Sequence, residues 1–471
     1  MRARTMDGQE IDLPQDVVTG WKARLRGPVL APGDVGYDDS RTVWNSMIDR
    51  RPAIVARCRG VADVIECMRF AREHDLLLCI KGGGHNIAGL AVADGALMLD
   101  MALMHGVWVD PHERVAHVQA GCVLGDVDRE TQLHGLASVL GFISLTGVAG
   151  LTLGGGIGYL TRRWGWTADN VVGMDLVTAE ARLVRASSDE NADLFWGLRG
   201  GGGNFGVVTG IDFMLHRVGP EMVGGAVAWP ASEAPRVLEL YRTLVEEAPP
   251  ELTLVALMRP APPAPWLPKD RHGTPIVALL ACHTGNPDEG EKAVAPIKSF
   301  GRPIGDVLTR RKYVEMQSLL DATQPKGRRY YWKSEYLSRI EPALCEKVIE
   351  HAARIRSPHS AVVLFQMEGA LNRLSHDYSP VGNRDARILL TITGSWERPE
   401  DDGVNIAWAR QAWNDLKRFS TGGTYINFLT EDEDAERTEA ALGGALQRLA
   451  RIKAGWDPHN VFRTNRNIKP A

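Results

Sequence analysis

A histidine that follows three consecutive glycines is the first feature of this chain that could do chemistry. The stretch reads LLLCIKGGGHN, Leu76 to Asn86, and His85 comes directly after Gly82, Gly83 and Gly84. Backbone N–H groups in a tight glycine turn form a concave, partly positive nest that binds anions such as a diphosphate. Glycine is needed there because a side chain would block close approach. The stretch therefore predicts a nucleotide-binding loop with an imidazole at its exit.

Two further glycine clusters, at residues 147–158 and 197–206, follow the first at 82–89. A single cluster could merely mark a turn, but three clusters in one half of the chain favour a shared ligand. The sequence has no G-x-x-x-x-G-K-[ST] loop of the Walker type. Gly201, Gly203 and Gly206 form a G-x-G-x-x-G pattern, but a predicted helix precedes it and a predicted strand follows it. A dinucleotide fold requires the opposite order, so we exclude a Rossmann domain.

Other reactive residue types do not form recognisable sites. His112 and His117 are five residues apart, whereas the helical zinc motif needs four, so we predict no metal site. The six cysteines contain no C-x-x-C pair, which is typical of free thiols in a reduced, cytoplasmic protein. Cys122 is interpreted as a packed thiol rather than a nucleophile.

The elements that must position His85 can be predicted from hydrophobic spacing. Val61, Val64, Ile65 and Met68 recur at helical spacing, and LLLCIK then reads as a short buried strand. The glycine loop and His85 therefore lie where a strand ends. Further predicted elements are hairpins in GVWVDPHERVAHVQA and NVVGMDLVTAEARLVRAS, and helices in GDVDRETQLHGLA and DENADLFWGLR.

The composition of the chain changes near residue 219. Glycine clusters stop, proline becomes frequent, and long helical patterns alternate with apolar strands. Since 471 residues are too many for one core, we predict three segments: 1–218 and 415–471, which together bind the ligand of the glycine loops, and a second domain at 219–414.

Charge and hydropathy exclude several classes of function. The formal net charge is −4 and there is no basic run, which argues against nucleic acid and anionic membranes as partners. No apolar run is long enough to cross a bilayer, and the first fifteen residues carry no apolar signal core. We therefore expect a cytoplasmic protein without nucleic-acid or membrane partners, present as a monomer or a homodimer.

Five motifs in order resemble one family. IKGGGHNIAG, TGVAGLTLGGGIGYL, LRGGGGNFGVVT, YINFL and RLARIKAGWDPHNVFRTNRNIKP are similar to berberine-bridge-enzyme-like FAD-linked oxidases of the vanillyl-alcohol-oxidase (PCMH-type) superfamily. The nearest branch is the bacterial one that includes 6-hydroxy-D-nicotine oxidase. The resemblance implies an α+β fold. A PCMH-type FAD-binding domain of two α/β subdomains, beginning near residue 38, would be joined to a substrate domain with an antiparallel sheet covered by helices.

In that family the glycines cradle the FAD pyrophosphate and the next histidine bonds covalently to the 8α-methyl carbon of the flavin. The resemblance thus assigns His85 to a covalent link, which raises the flavin potential and prevents loss of the cofactor. Many relatives add a cysteinyl link, but Ile143 stands at that position and Cys122 lies too early in the chain, so a single link is expected. The full set of implied FAD-contacting residues is His85, Lys81, Gly82, Gly83, Gly84, Asn86, Thr146, Gly147, Gly150, Gly154, Gly155, Gly206, Val208, Tyr425, Asn427 and Asn465.

The implied reaction is hydride transfer from a substrate C–H next to an O–H or N–H, followed by electron transfer to O₂ with release of H₂O₂. Many relatives use the second tyrosine of Y-x-N-Y as the base, but here the segment is Tyr425-Ile426-Asn427-Phe428, and a phenyl ring cannot accept a proton. We therefore consider five other candidates, with the first two preferred: Glu368, Tyr331, Tyr425, Lys333 and Glu335.

Two observations select these candidates. If RRYYWKSEYL is a strand, Tyr331, Lys333 and Glu335 share one face and Trp332, Ser334 and Tyr336 the other, and one of the two faces should line the flavin. Glu368 stands at a predicted strand end among apolar neighbours, where burial would tune a carboxylate.

Two other functions remain open at this point. The missing tyrosine is compatible with a flavin-carrying protein that sequesters a redox-active small molecule. A dehydrogenase that uses an organic acceptor is the other alternative. Thr146, at the position that controls access of O₂ in the family, does not separate oxidase from dehydrogenase, although the adjacent Gly147 leaves room for O₂.

Overall fold

Residues 1–433 and 435–471, which the computed structural model describes, form an α+β fold with five sheets. The strands are β1 (Arg2–Arg4), β2 (Glu10–Asp12), β3 (Val29–Leu30), β4 (Ile54–Arg57), β5 (Leu78–Lys81), β6 (Leu97–Asp100), β7 (Val107–Asp110), β8 (Val115–Gln119), β9 (Leu136–Ala137), β10 (Val171–Val177), β11 (Leu183–Ser187), β12 (Val207–Met214), β13 (His216–Arg217), β14 (Glu221–Pro230), β15 (Leu252–Pro260), β16 (Pro275–His283), β17 (Gly305–Asp306), β18 (Thr309–Lys312), β19 (Arg329–Leu337), β20 (Ala361–Gln366) and β21 (Ile388–Trp396).

Helices connect many of these strands. They are α1 (Gln15–Lys22), α2 (Tyr37–Arg41), α3 (Val61–Glu73), α4 (Leu124–Thr131), α5 (Val148–Leu153), α6 (Thr161–Trp164), α7 (Ala192–Leu198), α8 (Ala234–Glu247), α9 (Pro287–Lys298), α10 (Tyr313–Gln317), α11 (Pro342–Ala352), α12 (Asp402–Leu416), α13 (Ala435–Leu442) and α14 (Leu446–Trp456). Within this part of the chain, none of them has both the length and the apolar composition of a bilayer span.

The first α/β layer places the histidine loop. Strands β4, β6 and β5 are parallel, β3 adds antiparallel to β4, and α3 packs Val64, Cys67 and Met68 into the core. Strand β5 ends at Lys81, so the glycines begin just past the carboxyl end of a parallel strand. Ligands bind at this edge in α/β folds because the loops there are free to diverge. The predicted helix and strand are confirmed here.

The second layer is a five-stranded antiparallel sheet in the order β11-β10-β12-β8-β7. Both predicted hairpins are present as β7–β8 and β10–β11. Strand β12 begins at Val207, directly after the third glycine cluster. This is the loop-to-strand order that excluded a Rossmann domain.

The large sheet is antiparallel and runs β17-β14-β16-β15-β20-β21-β19, with β18 also paired to β14. Helices α8, α11 and α12 bury one face, where Val237, Tyr241 and Leu344 pack with the sheet in one core cluster. On the opposite face, Tyr313 and Met316 of α10 pack with Met222 of β14 and Cys282 of β16. The predicted α+β class with a helix-covered antiparallel sheet is therefore confirmed.

The end of the chain packs against the third glycine cluster. The ammonium of Lys453 on α14 donates to the carbonyl of Asn204 at 2.7 Å, and Asn465 Nδ2 donates to the carbonyl of Gly203 at 2.8 Å. The Oδ1 of Asn204 in turn accepts from the backbone N–H of Ile468 at 3.0 Å. These bonds fix the tail beside the first two layers. The division at residues 218 and 414 into folding units stays a prediction.

Candidate active site

A cavity lies between the glycine loops and the face of the large sheet that is opposite α8, α11 and α12. On one side it is lined by Gly82–Ile87, by the start of α5 and by the third glycine cluster. On the other it is lined by β15, β20 and β21, and the segment 425–428 closes one end. The structure thus brings together parts of the chain that are more than 300 residues apart in sequence.

Two glycine loops cross in direct backbone contact at this cavity. A Cβ built on Gly83 would lie 2.4 Å from the backbone nitrogen of Gly147, and one built on Gly147 would lie 2.4 Å from the nitrogen of Gly83. Real Cβ atoms do not approach that closely, so only glycine permits the crossing. The crossing places the backbones of two glycine loops in contact where both line the cavity.

Other glycines leave room for a ligand rather than for protein. Gly150 and Gly203 line the cavity, and a Cβ on either would meet nothing within 4 Å. Asn465 and Arg466 also line the cavity, and Asn465 Oδ1 and Arg466 Nε are buried without a hydrogen-bond partner. Because buried polar atoms are normally paired, these groups indicate a polar ligand. Such a backbone-lined cradle fits the diphosphate and ribose of FAD.

His85 is half-buried in an aromatic environment at one end of the cradle. Its ring stacks on Trp44 with a centroid distance of 5.1 Å, and Nδ1 lies 3.5 Å from Thr146 Oγ1. Burial, with a smaller contribution from the positive charge of Lys326, lowers the pKa of His85 to about 4. The imidazole is therefore neutral at physiological pH, and its ring nitrogen keeps a lone pair that can attack an electrophilic carbon.

Trp44 is held in place by contacts with the loop before β19. Its Nε1 donates to the carbonyl of Gln324 at 3.0 Å, and its ring stacks on Tyr330 at 3.5 Å. The neighbouring Asn45 exchanges two hydrogen bonds, each of 3.0 Å, with the backbone of Tyr330. This docking fixes the ring against which His85 lies.

Most of the residues expected to contact FAD line the cavity, and two do not. Lys81 is directed away, where its ammonium pairs with Asp100 at 3.2 Å, and Gly155 packs instead against Val381 and Trp166. The expectation is corrected for these two residues, because each contacts protein. The expected residues that do line the cavity are Gly82, Gly83, Gly84, His85, Asn86, Thr146, Gly147, Gly150, Gly154, Gly206, Val208, Tyr425, Asn427 and Asn465.

The side of strand β19 that faces the cavity is not the side that carries our candidate bases. Trp332 lines the cavity, whereas Tyr331, Lys333 and Glu335 point to the helix-covered side. Since side chains alternate along a strand, one register decides all three positions at once. The proposed catalytic roles of Tyr331, Lys333 and Glu335 are therefore corrected.

These three side chains belong to a buried ionic network behind the sheet. The ammonium of Lys333 lies 2.6 Å from Glu433, and the hydroxyl of Tyr331 donates to Asp432 at 2.7 Å. Glu335 accepts from Trp413 Nε1 and pairs with Arg437 at 2.8 Å. The network joins β19 to α12 and to the segment after Phe428, which is a structural role.

Glu368 also lies outside the cavity. It follows the end of β20, and its carboxylate forms an ion pair with Arg387. Its backbone carbonyl accepts from Arg162 Nε at 3.1 Å. The proposed role of Glu368 as a base tuned by burial is corrected, because the residue lies outside the cavity and an arginine from the neighbouring loop neutralises it.

Tyr425 is the one residue of the five candidate bases that lines the cavity. Its hydroxyl accepts a hydrogen bond from Asn427 Nδ2 at 2.9 Å. Burial raises the pKa of Tyr425, while Asn427 and the backbone N–H groups of Gly156 and Ile157 oppose the rise. Phe428 packs edge-on against the Tyr425 ring at 4.8 Å.

Several residues that line the cavity were missed by the sequence reasoning. Gly201 and Gly203 line it although their motif is not a dinucleotide fingerprint, and their glycine cluster was a usable signal. Arg466 adjoins the predicted Asn465. Nothing in the sequence marks Trp44, because its position depends on docking. Trp332 stands on one of the two strand faces that the sequence offered, and only the strand register selects that face.

Comparisons with known proteins give the same picture. The FAD binding domain family matches residues 52–187, and the family described as berberine and berberine like matches residues 424–469. The chain is 30% identical to (R)-6-hydroxynicotine oxidase of Paenarthrobacter nicotinovorans over 465 residues, covering 95% of this chain and 97% of that protein.

Solved structures are similar over the whole fold. The crystal structure of 6-hydroxy-D-nicotine oxidase from Arthrobacter nicotinovorans superposes with a TM-score of 0.85 at 28% identity, covering 95% of this chain and 98% of that one. A berberine-bridge-enzyme-like protein of Physcomitrella patens also gives a TM-score of 0.85, at 20% identity, over 96% and 99% of the two chains. The second similarity concerns the fold alone.

Proposed function

Because this chain belongs to the berberine-bridge-enzyme-like family of FAD-linked oxidoreductases, we propose that it is an oxidase that releases H₂O₂. It would oxidise a small organic substrate at a carbon next to a hydroxyl or amino group. When bound, FAD supplies the chemistry by accepting the hydride and passing the electrons to O₂. The observation that carries the proposal is a cavity with glycine-loop backbone on one wall and mostly apolar side chains of the large sheet on the other.

We propose that His85 holds the cofactor covalently. Its neutral imidazole is the nucleophile that such a bond requires, and the Trp44 ring behind it limits its rotation. A cysteinyl link is not proposed. Ile143 lines the cavity, whereas Cys122 is buried elsewhere and its thiol contacts the carbonyl of Gly106. Burial also raises the pKa of Cys122 to about 12, so its thiol stays protonated and unreactive.

We propose that Tyr425 orients the substrate O–H or N–H through a hydrogen bond and does not itself remove the proton. Burial raises the pKa of its phenol, so the hydroxyl stays protonated near neutral pH, and Asn427 with the backbone N–H groups of Gly156 and Ile157 only partly opposes that rise. Phe428 and Trp332 exclude water from this end of the cavity, with ring centroids 4.9 Å apart. An apolar lining also favours a neutral amine or alcohol over its charged form, which reduces the need for a strong base.

The location and assembly of the enzyme are further proposals. Six free, buried cysteines among the described residues fit a reduced, cytoplasmic setting. The same part of the chain shows no cluster of His, Cys, Asp or Glu that could hold a metal ion. A monomer or a homodimer is expected.

Reactivity with O₂ tests the oxidase assignment without knowledge of the substrate. The purified holoenzyme would be photoreduced without air and mixed with buffered O₂, and both the return of flavin absorbance and the yield of H₂O₂ would be measured. An oxidase reoxidises faster than free reduced FAD and gives one H₂O₂ for each flavin. Slow reoxidation by O₂ combined with fast reoxidation by a quinone or dye would make it a dehydrogenase. A flavin that no electron acceptor reoxidises would support the sequestering protein.

A further inference from the structure

One row of side chains crosses the cavity wall from an aromatic end to a cationic end. Trp332 pairs with Thr393 and Thr393 with Ala361 in the ladder of the large sheet. The last paired residues of β15 and β20 are Met258 and Val362. The next position in the same antiparallel register places Arg259 beside Ala361. All four side chains line the cavity. Three interstrand spacings separate the ends of the row, which is about 14 Å between backbones.

The row begins next to the flavin-linking histidine and ends far from it. Trp332 lies edge-on to Trp44 at 5.5 Å, and Trp44 stacks on His85. Leu257, Val363 and Phe365 fill the neighbouring positions on the same face. A ligand lying along this face would therefore meet apolar side chains over most of its length and a guanidinium at its far end.

Arg259 is a cation without a counter-ion. Its Nε and Nη2 donate to the carbonyls of Pro260 and Pro358 at 3.1 and 3.3 Å, but Nη1 has no partner among the described residues. The ion pairs found in residues 1–433 and 435–471 do not include Arg259. Burial and the nearby Arg328 lower the pKa of Arg259 to about 10, which still leaves it charged near neutral pH.

The charge that acts most strongly on Arg259 is another cation, Arg328, and burial lowers the pKa of the nearby His359, which favours its neutral form. His359 lines the cavity beside Arg259, and His359 and Arg328 share the carboxylate of Glu397, whose side chain is 68% exposed. Closer to the aromatic end, Thr391 Oγ1 and Trp332 Nε1 are buried without hydrogen-bond partners. Partnerless polar groups on an otherwise apolar wall indicate that this face contacts a ligand.

We propose that the substrate is a carboxylate with an apolar, ring-sized body, and that its carboxylate binds Arg259 while the reacting carbon lies at the Trp332 end. The inference deepens the proposed oxidase function and depends on it. A guanidinium that already uses two donors on carbonyls still presents Nη1 to an anion, and charge-assisted bonds of this kind are about twice as strong as neutral ones. Arg259 would then fix the direction in which the substrate enters.

Binding of a matched pair of probes to the holoenzyme tests the proposal. The probes are 4-phenylbutyrate and its neutral amide, 4-phenylbutanamide, followed by the change in flavin absorbance and by titration calorimetry. We expect the wild-type protein to bind the carboxylate about tenfold more tightly than the amide, or better. In Arg259→Met this preference should vanish, while the affinity for the amide changes by less than about twofold. Arg259→Lys keeps the charge but not the planar fork, so it should retain part of the preference.

Arg328→Met provides the matched control, because it removes a neighbouring cation that does not line the cavity. It should keep most of the carboxylate preference. The proposal is overturned if wild-type protein shows no such preference, if the preference survives in Arg259→Met, or if Arg328→Met abolishes it equally. Flavin content and reoxidation by O₂ are measured on the same samples. A reactive flavin without carboxylate preference would contradict only the substrate class, whereas a preparation without flavin would contradict the proposed function itself.

Discussion

The wall of the cavity at Gly83 and Gly147 is made of backbone, whereas the wall formed by β15, β20 and β21 is made of side chains. On the backbone wall the residue type is dictated by distance, since any Cβ would clash. On the sheet wall, each position tolerates many side chains, and the register selects which ones face the ligand. The first wall suits the invariant part of a cofactor, and the second suits a variable substrate.

The largest expected effect would break the backbone wall. Gly83→Ala places a Cβ against the backbone of Gly147, which cannot move aside as a side chain can. We expect a loss of about 3 kcal/mol or more in unfolding free energy, together with loss of bound FAD. Chemical denaturation and flavin content would measure both.

Gly150→Ala is the matched control for that change. Its Cβ would meet no protein atom within 4 Å, and Gly150 lies inside α5, where alanine favours the helix by about 1 kcal/mol. This variant should fold at least as stably as the wild type but retain less FAD. Equal destabilisation by both substitutions would contradict the distinction between backbone contact and ligand space.

The second prediction concerns His85, whose side chain follows the glycines of the backbone wall. Flavin should stay with the polypeptide after acid denaturation of the wild-type protein and should be released almost completely from His85→Ala. Cys122→Ser should retain it, because Cys122 does not line the cavity. Release from the wild type would end the covalent proposal, and a flavin peptide that contains Cys122 would overturn the single link.

A third test compares the two faces of β19. Lys333→Met leaves Glu433 buried without its closest cation, so we expect the unfolding free energy to fall by about 3 kcal/mol. The visible spectrum of the bound flavin should stay unchanged. Trp332→Phe should do the opposite, with a shifted flavin spectrum and a smaller stability change. A spectral shift in Lys333→Met at unchanged stability would contradict the assignment of the faces.

The smallest expected effect is a dependence on pH. The folded-state pKa of His85, about 4, lies below the ordinary value of 6.5, so the neutral nucleophile persists until the solution is more acidic than for an exposed histidine. When apoprotein is mixed with FAD, the rate of acid-stable attachment should change by less than about twofold between about pH 8 and about pH 5.5. A fall by half near pH 6.5 would instead indicate an ordinary, solvated imidazole.

The glycine loops, the strand before His85 and the hairpins follow from the sequence alone. Their signals are local: glycine where backbones meet, helical spacing in α3, and alternation in β7 and β8. The motifs also identified the family, and with it FAD. These loops and elements depend on residues that are close in sequence, so the sequence alone predicts them.

The tertiary structure decided which side chains meet the ligand. The sequence suggested a polar face with candidate bases at Tyr331, Lys333 and Glu335. In the structure β19 turns that face toward α12. Charged partners between residues 432 and 437 neutralise these side chains there. Glu368 is neutralised in the same way by Arg387. Arg259 showed no signal in the sequence, since a charge is informative only when its partners are known. Pairing across strands and between distant segments depends on packing, and local patterns do not encode it.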